Sequence, residues 1–193
     1  MHKIHVGEGV VLRKRGVGEA NVFVTILTHE LGLVRATAKS ARVEHSKLRY
    51  GLEPLTRGRF SFVRGRSEWR LTGVEQVERE FGADNPARAR QAGKVATLLL
   101  RLVQGEEVAP ELYESVVAGF SALSRAQDNS QAESIESVLV LKILYHLGYL
   151  PHTSELKAFI EADFFSLELA EEVARSRARL LRTINESLQA TGL

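Results

Sequence analysis

Short apolar runs separated by turn residues fill the first part of the chain, and longer helical patterns fill the second. The runs Val10–Leu12, Val22–Leu27, Leu33–Lys39, Arg59–Arg64 and Trp69–Val74 are short and mostly rich in β-branched or aromatic residues, as strands are. Five short strands within about 75 residues predict a small antiparallel barrel or sandwich.

The run Leu33–Lys39 alternates with a period of two. Val34, Ala36 and Ala38 fall on one face, and Arg35, Thr37 and Lys39 on the other. A strand here would therefore point Arg35 and Lys39 outward together. Residues 40–51 are polar and basic without an apolar period, which predicts an exposed loop, and residues 64–67 predict a hairpin turn.

Helical periodicity begins at Asn85-Pro86, where Asn can cap a helix and Pro suits its first turn. The pattern predicts helices over residues 87–104, 110–124, 132–147, 154–160 and 166–190, with a polar loop over 126–130. The third helix is apolar on nearly all sides, so it should lie in the centre of the helical part. We therefore expect an α+β protein with one domain over residues 1–80 and a helical domain over residues 85–193.

Composition narrows the class of protein. The chain has 193 residues and no cysteine, which excludes disulfides and thiolate metal sites. It has no apolar run of about 20 residues and no signal-peptide pattern at its start, so we expect a cytoplasmic protein without a membrane segment. Two pairs of His residues lack carboxylates at metal-site spacing, and no nucleophile motif or phosphate loop is present. We expect no enzyme activity, no cofactor and no metal.

Charge is distributed unevenly. Residues 1–80 hold 15 Lys/Arg and 9 Asp/Glu, whereas residues 81–193 hold 11 and 15. Within the basic half, residues 35–70 (the basic segment) carry ten Lys/Arg and three acids. A folded basic surface of this width is typical of a protein that binds a polyanion, most often nucleic acid.

Aromatic residues lie within the basic segment and could stack on bases. Phe60, Phe62 and Trp69 lie on predicted strands beside other apolar residues, so we expect them in the core. Tyr50, in the polar loop, is the better candidate for stacking.

Several stretches resemble the N-terminal domain of the RecO family of recombination mediators. They are Gly9–Arg13, Gly18–Asn21, Thr25–Thr28, Gly32–Arg42 and Leu52–Thr56, and Leu147–Pro151 resembles a later segment of the family. The resemblance implies an OB-fold followed by a helical domain. It also implies a non-enzymatic protein, nucleoid-associated in the cytoplasm, that binds single- and double-stranded DNA and anneals strands. The implied partners are a RecR-like protein, the acidic C-terminal tail of single-stranded-DNA-binding protein and, indirectly, a recombinase.

Two departures from the family stand out. The four-cysteine zinc module of many members is absent, so the resemblance is to a short form and zinc is not carried over. The family has Gly where this chain has Ser40, so we expect a less left-handed turn there.

The resemblance places the family's basic DNA-facing positions at Arg13, Arg35, Lys39 and Arg42. Charge and loop placement add Lys47, Arg49, Arg64 and Arg66, all as phosphate contacts. On the last helix, Arg175, Arg177, Arg179 and Arg182 could form a basic rim for the acidic tail. Two alternatives remain open: an adaptor whose basic face meets an acidic protein, and an RNA-binding OB protein.

Overall fold

A computed structural model describes residues 3–66, 68–103, 105, 110–151, 153–164 and 167–190. Its strands are β1 (Ile4–Val17), β2 (Asn21–Thr28), β3 (Gly32–Ala38), β4 (Thr56–Arg64) and β5 (Trp69–Arg79). They form a closed barrel in the order β1-β2-β3-β5-β4, since β4 pairs back onto β1. Among the pairings of these five strands, that of β3 with β5 is parallel and the others are antiparallel. The OB-fold barrel expected from the sequence is confirmed.

The inside of the barrel is filled by one face of each strand. Val34, Ala36 and Ala38 are fully buried there, Arg35 is exposed on the other side of β3, and Lys39 is exposed directly after the strand. The two-residue period of this strand therefore predicted the outward position of Arg35 correctly. The same inner cluster holds Phe60, Phe62 and Trp69, as predicted.

A β-bulge interrupts the long first strand. The pairing of β1 with β2 shifts between Val11 and Arg13, which leaves Leu12 as the extra residue. Because a bulge adds one residue to one strand, two successive side chains can face the same side. Leu12 and Arg13 consequently both lie on the outer surface of the barrel.

The helices are α1 (Pro86–Leu102), α2 (Pro110–Arg125), α3 (Asn129–His146), α4 (Ser154–Glu161) and α5 (Leu167–Ala190). Asn85 caps α1 as predicted, with its side chain accepting a hydrogen bond from the Arg88 N–H. The start of α3 differs from the prediction by three residues, because Asp128 caps it by accepting a hydrogen bond from the Gln131 N–H. The loop predicted over 126–130 is therefore shorter than expected.

Helix α3 lies at the centre of the helical part, as predicted from the apolar residues on nearly all of its sides. It packs against all four other helices, and its Leu139, Ile143 and Leu144 are fully buried. Among the residues that the structure describes, no helix is both long and apolar enough to cross a membrane.

The helices and part of the barrel's outer surface share one apolar core. Val10, Leu12, Leu27, Leu33 and Leu55 belong to strands or loops of the barrel, yet they are buried in the same cluster as the interior of the helices. The helical part therefore covers one half of the outer face of β1–β3 and leaves the other half exposed.

The expectation of a less left-handed turn at Ser40 is wrong. Ser40 has a φ of 53°, in the left-handed region that favours glycine. Its N–H donates to the Asn21 side-chain oxygen at 2.9 Å, and the Arg42 N–H donates to the Ala20 carbonyl at 2.9 Å. These two bonds tie the turn to the β1–β2 connection and hold Ser40 in the conformation a glycine would adopt.

Candidate nucleic-acid interface

Two cross-strand rows of residues cover the exposed half of β1–β3. Arg13 pairs with Thr25, which pairs with Arg35. In the next row Arg15 pairs with Phe23, Phe23 with Thr37, and Thr37 with Arg70 of β5. Directly paired residues point to the same side of a sheet, so Arg13, Arg15, Arg35 and Arg70 surround Phe23 with no acid in either row. We call this surface the arginine face.

Phe23 was not identified from the sequence. The run Val22–Leu27 predicted a strand, and among its first five residues Val22, Val24 and Ile26 face the barrel interior. Phe23 is half-buried on the outer surface, with the Arg15 guanidinium 5.7 Å from the ring centroid. Residues 22–24 are apolar without alternation, so no local signal showed which face of β2 carries Phe23.

The β3–β4 loop brings four predicted residues to the same end of the barrel. Lys39, Arg42, Lys47 and Arg49 are all exposed. The Arg42 guanidinium donates to the Gly18 carbonyl at 3.1 Å, which fixes this charge beside the turn that follows β1. Tyr50 is 65% exposed, and the Arg49 guanidinium lies 5.9 Å from the centre of its ring. Its predicted role in stacking stays a prediction.

The β4–β5 turn carries Arg64 and Arg66, both exposed. The Gly65 N–H donates to the Glu68 carbonyl at 2.9 Å and closes the turn. The Arg64 guanidinium lies 4.8 Å from the centre of the Trp69 ring. Arg64 lines the same cavity as Arg35 and Phe23, which places it beside the arginine face.

Other charges of the basic segment lie elsewhere. Arg57 pairs across the strands with Glu78, and Arg59 with Glu75. Arg57 forms an ion pair with Glu78, and this hydrogen bond raises the pKa of Arg57 above its usual value. The basic segment is therefore divided in three dimensions into an arginine-rich side and a side where acids balance the arginines.

The structure describes three of the four arginine side chains of the basic rim predicted on α5. Arg175, Arg179 and Arg182 are exposed, and Val173, Leu180 and Ile184 bury the helix's apolar side in the core. The Arg177 side chain lies outside the described residues. Binding of an acidic tail at this helix stays a prediction.

One polar pair in the helical part was not anticipated. The Ser115 hydroxyl of α2 lies 3.0 Å from Nε2 of His146 in α3, and burial lowers the pKa of His146. The pair links two helices through a largely neutral imidazole. Within the described ranges, no three His, Cys, Asp or Glu side chains are placed to hold a metal ion.

Comparison with known proteins agrees with this geometry. The family described as recombination protein O N terminal matches residues 1–79. The chain is 31% identical over 154 residues to the DNA repair protein RecO of Heliobacterium modesticaldum, covering 79% of this chain and 54% of the relative. It is 40% identical over 119 residues to the RecO of Anaeromyxobacter sp. (strain K), covering 60% of this chain and 46% of the relative.

A third relative extends the similarity into the helices. The RecO of Exiguobacterium sibiricum is 27% identical over 174 residues, which cover 85% of this chain and 66% of the relative. The chain thus spans about half to two thirds of the length of these relatives. Both the barrel sequence and these extended matches point to one conclusion: the chain belongs to the RecO family of DNA repair proteins.

Proposed function

We propose that this protein is a non-enzymatic DNA-binding mediator of recombinational repair, which grips DNA through the arginine face. The observation that carries the proposal is the arrangement of Arg13, Arg15, Arg35 and Arg70 around Phe23 on adjacent strands. The charges are fixed on a barrel and not on a mobile tail, so little ordering entropy is lost when they meet phosphates.

The arginine face suits phosphates better than base edges. Phosphate contacts position a protein on nucleic acid without selecting a sequence, as a protein that acts on any broken DNA requires. Lys39, Arg42, Lys47 and Arg49 extend the face along the β3–β4 loop, and Arg64 and Arg66 extend it toward the β4–β5 turn. A strand laid across β2 and β3 would meet both extensions.

The division of labour in the proposal follows the two parts of the chain. Residues 1–80 bind single- and double-stranded DNA and bring complementary strands together for annealing. Residues 85–193 are the scaffold and the partner-binding part, which meets a RecR-like protein and the acidic tail of single-stranded-DNA-binding protein, and so helps a recombinase to load. The relatives named DNA repair protein RecO support the repair role.

A salt titration of DNA binding tests the proposal. The slope of log K against log salt becomes shallower by about 0.7 for each phosphate on a single strand that the protein ceases to neutralise. The double variant Arg13→Gln/Arg35→Gln should therefore shallow the slope by about 1.4. The control Arg59→Gln/Arg90→Gln removes the same charge from exposed positions outside the arginine face and should leave the slope unchanged.

The outcomes also separate the alternatives. Equal slopes for both double variants would remove the arginine face from the interface. Absence of binding to bare oligonucleotides at about 0.1 M salt would favour the adaptor, because screening at that salt acts over about 10 Å. Tighter binding to RNA than to DNA of equal length would favour the RNA-binding alternative.

A further inference from the structure

A cleft opens beside the arginine face where the barrel is closed by its shortest ladder. The parallel pairing of β3 with β5 spans only residues 36–38 against residues 69–71. Leu33 and Arg35 precede that ladder, and the β4–β5 turn stands across from them. The space between has a volume of about 370 Å³, within the range of roughly 300–1,000 Å³ usual for small-ligand sites.

The lining of the cleft combines flat apolar groups with opposed charges. Phe23, Leu33 and Trp69 supply apolar surface, Arg35 and Arg64 supply positive charge, and Glu68 supplies an exposed carboxylate. The Thr37 hydroxyl donates to Glu68 Oε2 at 3.2 Å, which places the carboxylate next to the Phe23 row. A ligand here would be flat, attached to an anion, and able to donate a hydrogen bond.

Glu68 is the feature that phosphate binding does not explain. A carboxylate on a basic surface repels phosphate, but it accepts hydrogen bonds from amino groups, as carboxylates do from the amino group of cytosine. An aromatic ring at the mouth of such a cleft offers a stacking surface to a base. Bases within a duplex are already stacked, so only an unpaired base can enter.

We propose that the cleft takes one unpaired nucleobase, stacked on Phe23, whose exocyclic amino group donates to Glu68. Arg35 and Arg64 hold the phosphates on either side of the inserted base. This inference rests on the proposed function and adds two preferences to it. The protein should prefer single strands over duplexes, and cytosine, which has an exocyclic amino group, over thymine, which has none. Duplex DNA would use the arginine face alone.

The test compares four DNA probes of equal length: an oligo-dC strand, an oligo-dT strand, a strand of abasic deoxyribose phosphates, and a duplex. The variant Phe23→Leu keeps the apolar character but removes the ring. Loss of a base–aromatic stack is worth about 1–3 kcal/mol, so it should weaken oligo-dC binding by roughly 5- to 150-fold. Abasic and duplex affinities and the salt slope should stay as in the wild type.

Two further variants sharpen the result. Glu68→Gln keeps a side chain of the same shape without the charge, and it should reduce the preference of the protein for oligo-dC over oligo-dT. Tyr149→Leu removes a partly exposed ring of the helical part that lies outside the cleft and should leave that preference unchanged.

The binding experiment distinguishes failure of the base-site proposal from failure of the proposed function. If Phe23→Leu binds oligo-dC as tightly as the wild type does, or weakens abasic and intact strands equally, the base site is overturned while the arginine face can stand. If the wild-type protein binds none of the four probes, the proposed function itself fails.

Discussion

Tyr113 of α2 should lower the stability of the protein through its hydroxyl group. The residue is 4% exposed, and its hydroxyl is buried with no hydrogen-bond partner among the described residues. The ring packs edge-on against His29, with 5.5 Å between the ring centres. Replacing Tyr113 with Phe would keep this packing and remove the buried hydroxyl.

The magnitude follows from the burial. A buried polar group without a partner costs about 1–3 kcal/mol, so Tyr113→Phe should raise the free energy of unfolding by about 1–2 kcal/mol. For a chain of this size that corresponds to a rise in Tm of about 2–8 °C. Urea unfolding at neutral pH measures the change directly.

The pH dependence of the free energy of unfolding gives a second test of the Tyr113 prediction. Burial, with a smaller contribution from Glu8, raises the pKa of Tyr113 to about 12. Because the native pKa exceeds the unfolded value of about 10, the contribution of this titration to native-state stability is fully present below pH 10 and is lost as pH rises from 10 to 12. The advantage of Tyr113→Phe should therefore widen by about 1.4 kcal/mol between pH 8 and pH 11.

Tyr50→Phe is the matched control, because the Tyr50 ring is 65% exposed. It should change stability by less than about 0.5 kcal/mol at either pH. A destabilising effect of Tyr113→Phe at neutral pH would refute the predicted gain, since the hydroxyl would then make a stabilising bond. A constant difference between Tyr113→Phe and the wild type from pH 8 to pH 11 would refute the raised pKa.

Two other substitutions test the fold. Ser40→Gly should stabilise the protein by about 0.5–1 kcal/mol, because relief of the left-handed backbone outweighs the added freedom of the unfolded chain. The control Ser46→Gly, in the same loop without a positive φ, should destabilise the protein. Equal effects of the two substitutions in urea unfolding would contradict the argument. Gly119→Ala in α2 should destabilise by about 1 kcal/mol, because a Cβ would lie 2.6 Å from Leu139 Cδ1 and overpacking exceeds the gain in helix propensity. Combined with Leu139→Ala it should lose less than the sum of the two single changes, and strict additivity would show that the two sites do not touch.

The elements were predictable where one local signal dominates. Asn85 with Pro86 located the start of α1, and the apolar periphery of α3 located it at the centre, because capping and burial act within a few residues. The extra turn at the start of α3 escaped prediction because Asp128 and the residues after it are polar, and polarity alone does not separate a loop from a capped first turn.

The candidate site was predictable in its charges but not in its aromatic group. Arg13 and Arg35 were expected to face outward, and the strand pairing brings them into one row. The position of Phe23 depends on which strands flank β2 and on where the helices stop covering the barrel, and neither is encoded near Phe23 in the sequence. The separation of Arg57 and Arg59 from the other arginines likewise follows from pairing with β5.

The bulge at Leu12 gives β1 a change of phase along its length. Before it, the odd-numbered Gly9 and Val11 face the barrel interior. After it, the even-numbered Lys14 and Gly16 lie on that side of the strand, paired with the inward-facing Val24 and Val22. Deletion of Leu12 would remove the bulge and leave Val11 and Arg13 on the adjacent partners Ile26 and Thr25, so the residues on each face would stay where they are. The loss would be the bend of the strand and the buried Leu12 side chain. We therefore expect length changes in the turn after Val17 and a deletion at Leu12 to keep the two faces of β1 in register, and a one-residue insertion elsewhere in β1 to exchange the inner and outer faces on one side of the insertion.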